Sequence, residues 1–267
     1  MGGQAELFVN PPGLVYEILA APGEMSEAQE AARRSRKSHE IAGLDICTDA
    51  DAHYDEEVGG FSWQSYPLRH MAGFSREVRL TPPAVTAVSP PRGHILHDQL
   101  EARVLPRIVG PLGRGDLQYT AMRRTTQRLT KRPVKFGTIL PELLAAAVND
   151  NYYKDPVERC WAFSEALNEE LRALPDAGCP VIQLEEPQIH TVPARGKPFG
   201  RLDTADLVKL FNNTVKGLSG KTEVWCHTCW GNPAQQRIFR DVQSYQPTLA
   251  TPAAAAIRVS RASRLSP

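Results

Sequence analysis

Apolar and polar positions along the second half of the chain switch repeatedly between two rhythms. RPVKFGTI, PVIQLEEP and TEVWCHTCW are short runs in the strand period, while the segments between them follow the helical one. PELLAAAV predicts a helix opened by Pro141. DPVERCWAFSEALNEELRAL predicts a second, with Asp155 as N-cap, Pro156 at the first helical position, and Val157, Cys160, Trp161, Ser164, Leu167 and Leu171 recurring at steps of three and four. DTADLVKLFNNTVKGL predicts a third, capped by Asp203, and PAQQRIFRDVQSY a fourth, from Pro233. Strands separated by helices of this length predict βαβ units around a parallel sheet.

The first half is less regular. SEAQEAARRSRKSHEIAG predicts a helix from Ser26 to a terminal Gly43, with early glutamates and late basic residues. GLDICTDAD follows as a short strand ending in acids. Residues 53–115 read as irregular apart from the alternating FSREVRLT. Proline is in excess, 22 of 267 residues, against a usual ~5%. The closing TLATPAAAAIRVSRASRLSP has three arginines, no acid and no periodic face, and predicts a disordered or aberrant tail over 248–267 after a single domain over 1–247.

Charge narrows the partners. With 31 basic and 30 acidic residues the formal charge is +1, which argues against a coat for nucleic acid or an anionic membrane. The longest apolar runs, such as Leu143 to Val148, are far short of the ~20 residues of a spanning helix. Five cysteines, too few for a disulfide scaffold, and the absence of a basic-then-apolar N-terminus predict a cytoplasmic protein. Neither G-x-G-x-x-G nor G-x-x-x-x-G-K-[ST] occurs, which weakens a nucleotide-binding reading.

Three stretches can carry chemistry. In VWCHTCWGNP, residues two apart on a strand share a face, so His227 pairs with Cys229 and Cys226 points away. Thiolate with imidazole prefers zinc, and the Trp-Gly-Asn-Pro turn marks the C-terminal end of a strand, where parallel sheets and barrels hold their sites. In GCPVIQLEEPQIH, Glu185 and Glu186 close a buried strand, and at least one must face a cation or a substrate amine. In GLDICTDAD, Asp45, Asp49 and Asp51 alternate with apolar residues, and Asp49 and Asp51 fall at the C-terminal end, suited to an amine or to capping a helix.

Together KFGTI, YYKDP, ALNEELRAL, GCPVIQLEEP and VWCHTCWGNP, in that order, resemble the catalytic domain of cobalamin-independent methionine synthase, and more closely its shorter single-domain relatives. The resemblance runs from about Met25 to Tyr245. It implies a (β/α)8 barrel of TIM type with zinc at the C-terminal face, and transfer of a methyl group from a 5-methyltetrahydrofolate-type donor to a thiol such as homocysteine. It further implies His227 and Cys229 as zinc ligands and Glu185 as contact for the amino-acid part of the thiol. Asp51 would share that role, in TDAD where relatives read TDGE, and Glu186 would orient the loop beside it.

The departures are as informative. Residues after Cys229 contain no further cysteine, histidine or glutamate and one acid, Asp241, whereas the family supplies a glutamate and a cysteine there. This predicts a barrel incomplete at its C-terminal end, with weak metal affinity and little turnover. Two further readings stand beside methyl transfer: an epoxide-to-coenzyme M type of alkyl transfer, and a non-catalytic remnant that binds a small molecule. The sequence leaves the oligomeric state open.

Overall fold

The computed structural model describes residues 37–48, 66–75, 106–186, 188–189, 192 and 196–227, with the backbone of 62–65 and 257–260. Residues 37–41 are helical and end in a Schellman arrangement. Leu44 N–H donates to the His39 carbonyl and Gly43 N–H to that of Glu40, with Gly43 at φ 78°, so the predicted stop at Gly43 is observed.

Three elements lie in the stretch the sequence left irregular. Helix α1 (Ser62–His70) carries Pro67 in its interior, which hides it from a propensity reading. Strand β1 (Ala72–Phe74) pairs antiparallel with β2 (Ile108–Gly113). Their close approach needs Gly73, at φ 93°, where a Cβ would stand 2.5 Å from the Pro111 carbonyl oxygen. Helix α2 (Tyr119–Arg128) was also not anticipated. Its Thr125 and Thr126 hydroxyls bond back to the carbonyls of Ala121 and Met122, so side chains usually unfavourable in helices are satisfied inside it.

The rest follows the predicted alternation. Strand β3 (Phe136–Ile139) leads to α3 (Pro141–Ala147), α4 (Pro156–Leu171) and the short α5 (Ala173–Asp176). Strand β4 (Val181–Glu185), α6 (Thr204–Thr214) and β5 (Glu223–His227) come next. Asp155 caps α4 by accepting from Val157 N–H, and Asp203 forms a reciprocal capping box with Asp206 on α6. Helix α4 packs between α3 and α6. Ser164, a polar member of its inward stripe, meets the Thr214 hydroxyl at 2.8 Å and accepts from Asn213 at 2.9 Å.

Within the tail expected to be disordered, Ile257–Ser260 forms a strand, β6, paired parallel with β5. The other residues of 248–267, like the predicted helix from Pro233, lie outside the described residues. The sheet order is β3-β4-β5-β6, all parallel, and a bridge from Cys47 to Val134 adds the GLDICTDAD segment beside β3, also parallel. The order therefore follows the chain without reversing, as in a barrel wall and unlike a doubly wound sheet. Closure into an eight-stranded barrel is not seen among the described residues, so what is observed is an α/β fold with an open parallel sheet. No helix among the described residues is long and apolar enough to cross a membrane.

Candidate functional site

Register divides the sheet into two chemically different faces. Phe136, Ile182 and Val224 share one rung, Thr138, Leu184 and Cys226 the next but one, and all six are buried in the core. The opposite face carries Gly137, Gln183 and Trp225 on one rung and Ile139, Glu185 and His227 on the last. Period-two alternation thus sends Gln183 and Glu185 of β4 and His227 of β5 to one side, while Thr138 of β3 faces the core.

Glu185 and His227 are register partners at the C-terminal ends of β4 and β5. His227 Nε2 lies 3.3 Å from Glu185 Oε2, with the two side chains 26% and 33% exposed, so the pair opens to solvent. The other carboxylate oxygen, Oε1, accepts from Gln183 Nε2 at 2.7 Å, and Gln183 Oε1 accepts from Lys135 Nζ at 2.7 Å. Lys135 Nζ also stands 5.3 Å from the centre of the Trp225 ring, whose Nε1 donates to Glu223. Burial pushes the Glu185 carboxyl up to about 7, opposed by the Gln183 hydrogen bond and the Lys135 charge.

Glu186 turns the other way and is buried. Its N–H donates to the His227 carbonyl at 2.8 Å, and its Oε1 accepts from the N–H groups of Gln188 and Ile189. One residue thereby ties the end of β4 to the end of β5 and shapes the turn beyond. Its electrostatic neighbour is Glu142 on α3, whose two carboxyl oxygens are buried. Burial first, then the facing Glu186 carboxyl, holds Glu142 well above the usual carboxylate range, and burial raises Glu186 too. Burial and the like charge of its neighbour thus both disfavour the ionised form of Glu142.

The thiols near this pair are poor nucleophiles. Cys160 is pushed up to about 12 by burial and by the Glu142 charge, and Cys226 is raised by burial and by Glu186, Glu185 and Glu142. Cys226 faces the core and His227 the open face, as strand alternation predicts.

The structure brings together Glu185, Glu186 and His227, whereas Cys229 and Asp51 lie outside the described residues. Among the described residues no group of three or more histidine, cysteine, aspartate or glutamate side chains is arranged to hold a metal ion. An imidazole with one carboxylate falls short of the three protein ligands of a catalytic zinc, so the described donors do not make a zinc site. Lys135 and Glu142 were missed. Lys135 stands two positions before Gly137 and so shares its face, a spacing legible in the sequence. Glu142 reads from the sequence as an ordinary first-turn acid.

The fold, a parallel α/β sheet whose strand order follows the chain, is similar to that of B12-independent methionine synthases. The chain is similar to the structure of that enzyme from Shewanella in complex with selenomethionine, at TM-score 0.58 and 20% identity over 88% of this chain and 61% of that one. It is also similar to a putative vitamin-B12-independent methionine synthase from Listeria monocytogenes, at TM-score 0.54 and 14% identity, covering 88% of this chain and 69% of that one.

In sequence it is a distant homologue of 2-hydroxypropyl-CoM lyase and of methionine synthase. It is 27% identical to the Xanthobacter autotrophicus lyase over 228 residues, 83% of this chain and 49% of the lyase. Against the Sulfurisphaera tokodaii methionine synthase it is 25% identical over 205 residues, 76% of this chain and 51% of that protein. A Saccharolobus islandicus methionine synthase matches at 31% identity over 91 residues, 34% of this chain and 24% of its own length. The chain thus spans about half the length of the first two relatives. No protein-family model matches it.

Proposed function

We propose that the chain is a transferase of the methionine-synthase type, which binds an amino-acid thiol such as homocysteine and passes it a methyl group from a 5-methyltetrahydrofolate-type donor. The observation that carries this reading is the rung shared by Glu185 and His227 at the strand ends. A carboxylate fixed there suits the ammonium group of an amino-acid thiol, and its placement leaves the sulfur free to reach past the strand ends. In the transfer the thiol gives up its proton, a sulfur–carbon bond forms, the nitrogen–methyl bond of the donor breaks, and the donor nitrogen takes up a proton in exchange. Glu186 supports the geometry from behind by pinning both strand ends. His227 and Cys229 are the candidate zinc donors and Asp51 a second acid for the amine.

A second reading has its own support. The match to 2-hydroxypropyl-CoM lyase covers 83% of the chain, which favours alkyl transfer to coenzyme M. Charge opposes it at this position, because a carboxylate beside the site repels a thiol that ends in a sulfonate. Incubating the full chain with homocysteine and 5-methyltetrahydrofolate, with and without added zinc, and separately with coenzyme M and epoxypropane, separates the two by mass spectrometry of the products. Methionine formation, reduced at least about tenfold by Glu185→Gln, is expected. A coenzyme M adduct alone assigns the second reading, and absence of binding to either thiol overturns both. Calorimetric zinc titration of the wild type and His227→Ala tests the metal donors directly.

A further inference from the structure

Lys135, the residue just before β3, and Gln183 and Glu185, one alternation apart on β4, form a relay in which each is hydrogen-bonded to the next. The chemistry of the three groups fixes the direction of the chain. An ammonium can only donate, so the Gln183 atom facing Lys135 must be the amide oxygen. The amide nitrogen must then face Glu185, and the carboxylate Oε1 must accept from it. Without Lys135 the amide could turn over, presenting its oxygen to the carboxylate, which would repel it. Lys135 itself is held over Trp225, whose indole is anchored to Glu223. The result is a single defined orientation of Glu185, with Oε1 occupied by Gln183 and Oε2 beside His227 on the open side.

We propose that Lys135 and Gln183 are positioning residues that orient Glu185 for the ammonium group of an amino-acid thiol, and so set the preference of this site for amine-bearing over amine-lacking thiols. This rests on the function proposed above. Lys135 and Gln183 touch neither sulfur nor methyl donor, so their effect belongs to recognition of the amine and not to the transfer.

The test compares dissociation constants of L-homocysteine and of 4-mercaptobutanoate, which has the same thiol and carboxylate without the amine. It uses the full chain, as wild type, Lys135→Met, Gln183→Leu and Lys135→Arg. The wild type is expected to prefer homocysteine. Lys135→Met and Gln183→Leu should each cut that preference by about tenfold, the usual weight of a hydrogen bond to a charged group. Binding of 4-mercaptobutanoate should be unchanged, and Lys135→Arg should restore the preference in part. Equal loss for both thiols, or an unchanged preference, overturns the proposal. If the wild type binds neither thiol, the proposed function fails and the side-chain amide protons of Gln183 decide the relay. Slow solvent exchange lost in Lys135→Met upholds the ordered amide, and fast exchange already in the wild type overturns it.

Discussion

Glu142 and Glu186 show what a buried acid pair costs and how its cost depends on pH. Both carboxyls bind a proton more tightly in the folded chain than in the unfolded one, because burial disfavours the charged form. Below about 4.5, the ordinary carboxyl value, both states are protonated and the folded chain has its full stability. As pH rises the unfolded chain releases its protons first, so stability falls until the folded carboxyls release theirs as well. Glu185, pushed up to about 7, adds to the same fall, discounted by its partial exposure. Glu142→Gln keeps the shape, removes one ionisable group and lets an amide donate to Glu186. Urea unfolding should therefore show this variant about 1–2 kcal/mol more stable than wild type at pH 8, with little difference near pH 4.5. A variant less stable at pH 8 would mean that the carboxyl pair is a favourable interaction in its charged form.

At the scale of elements, capping and interhelical polar contacts set what can be removed. Asp203→Ala deletes the reciprocal box at the start of α6, and thermal or urea unfolding should register a loss of about 1 kcal/mol. Ser164→Ala should cost more, about 1–3 kcal/mol, since it takes the acceptor from the Asn213 amide and leaves the buried Thr214 hydroxyl with only the Leu210 carbonyl. If the two losses come in reverse order, water reaches the interface between these helices. The same elements explain what the sequence reveals. Asp155, Pro156 and Asp203 are local signals, acting through the backbone groups next to them, and α4 and α6 begin where they indicate. Helices α1 and α2 carry contrary local signals, Pro67 and a run of threonines, and are held by contacts distant in sequence. Tyr119 N–H, for example, donates to the buried carboxylate of Glu170, 51 positions away. The site divides along the same line. Alternation along β5 is enough to part His227 from Cys226, but the relay from Lys135 to Glu185 needs the register of β3 against β4, which no local pattern encodes.

For the whole molecule, the decisive feature is that strand order follows chain order, so Glu185 and His227 come to lie side by side on neighbouring strands. Among the described residues β6 is the strand that follows β5 in the sheet, and β5 shows which of its groups depend on it. Glu223 N–H donates to the Pro180 carbonyl, and the His227 carbonyl accepts from Glu186 N–H, so the odd-numbered residues of β5 direct their backbone groups towards β4. In a parallel ladder the intervening residues, Val224 and Cys226, must then direct theirs towards β6. Ending the chain at Gln246 removes Ile257–Ser260 and turns β5 into an edge. Hydrogen exchange should then accelerate at Val224 and Cys226, while Trp225 and His227, bonded to β4, keep most of their protection. An unpaired edge also invites pairing between copies, so light scattering should report more self-association in the shortened chain. Equal protection at Val224 and Cys226 in the two chains would show that β6 does not cover β5 in solution. The wall of the site would then end one strand earlier, at the strand that carries His227.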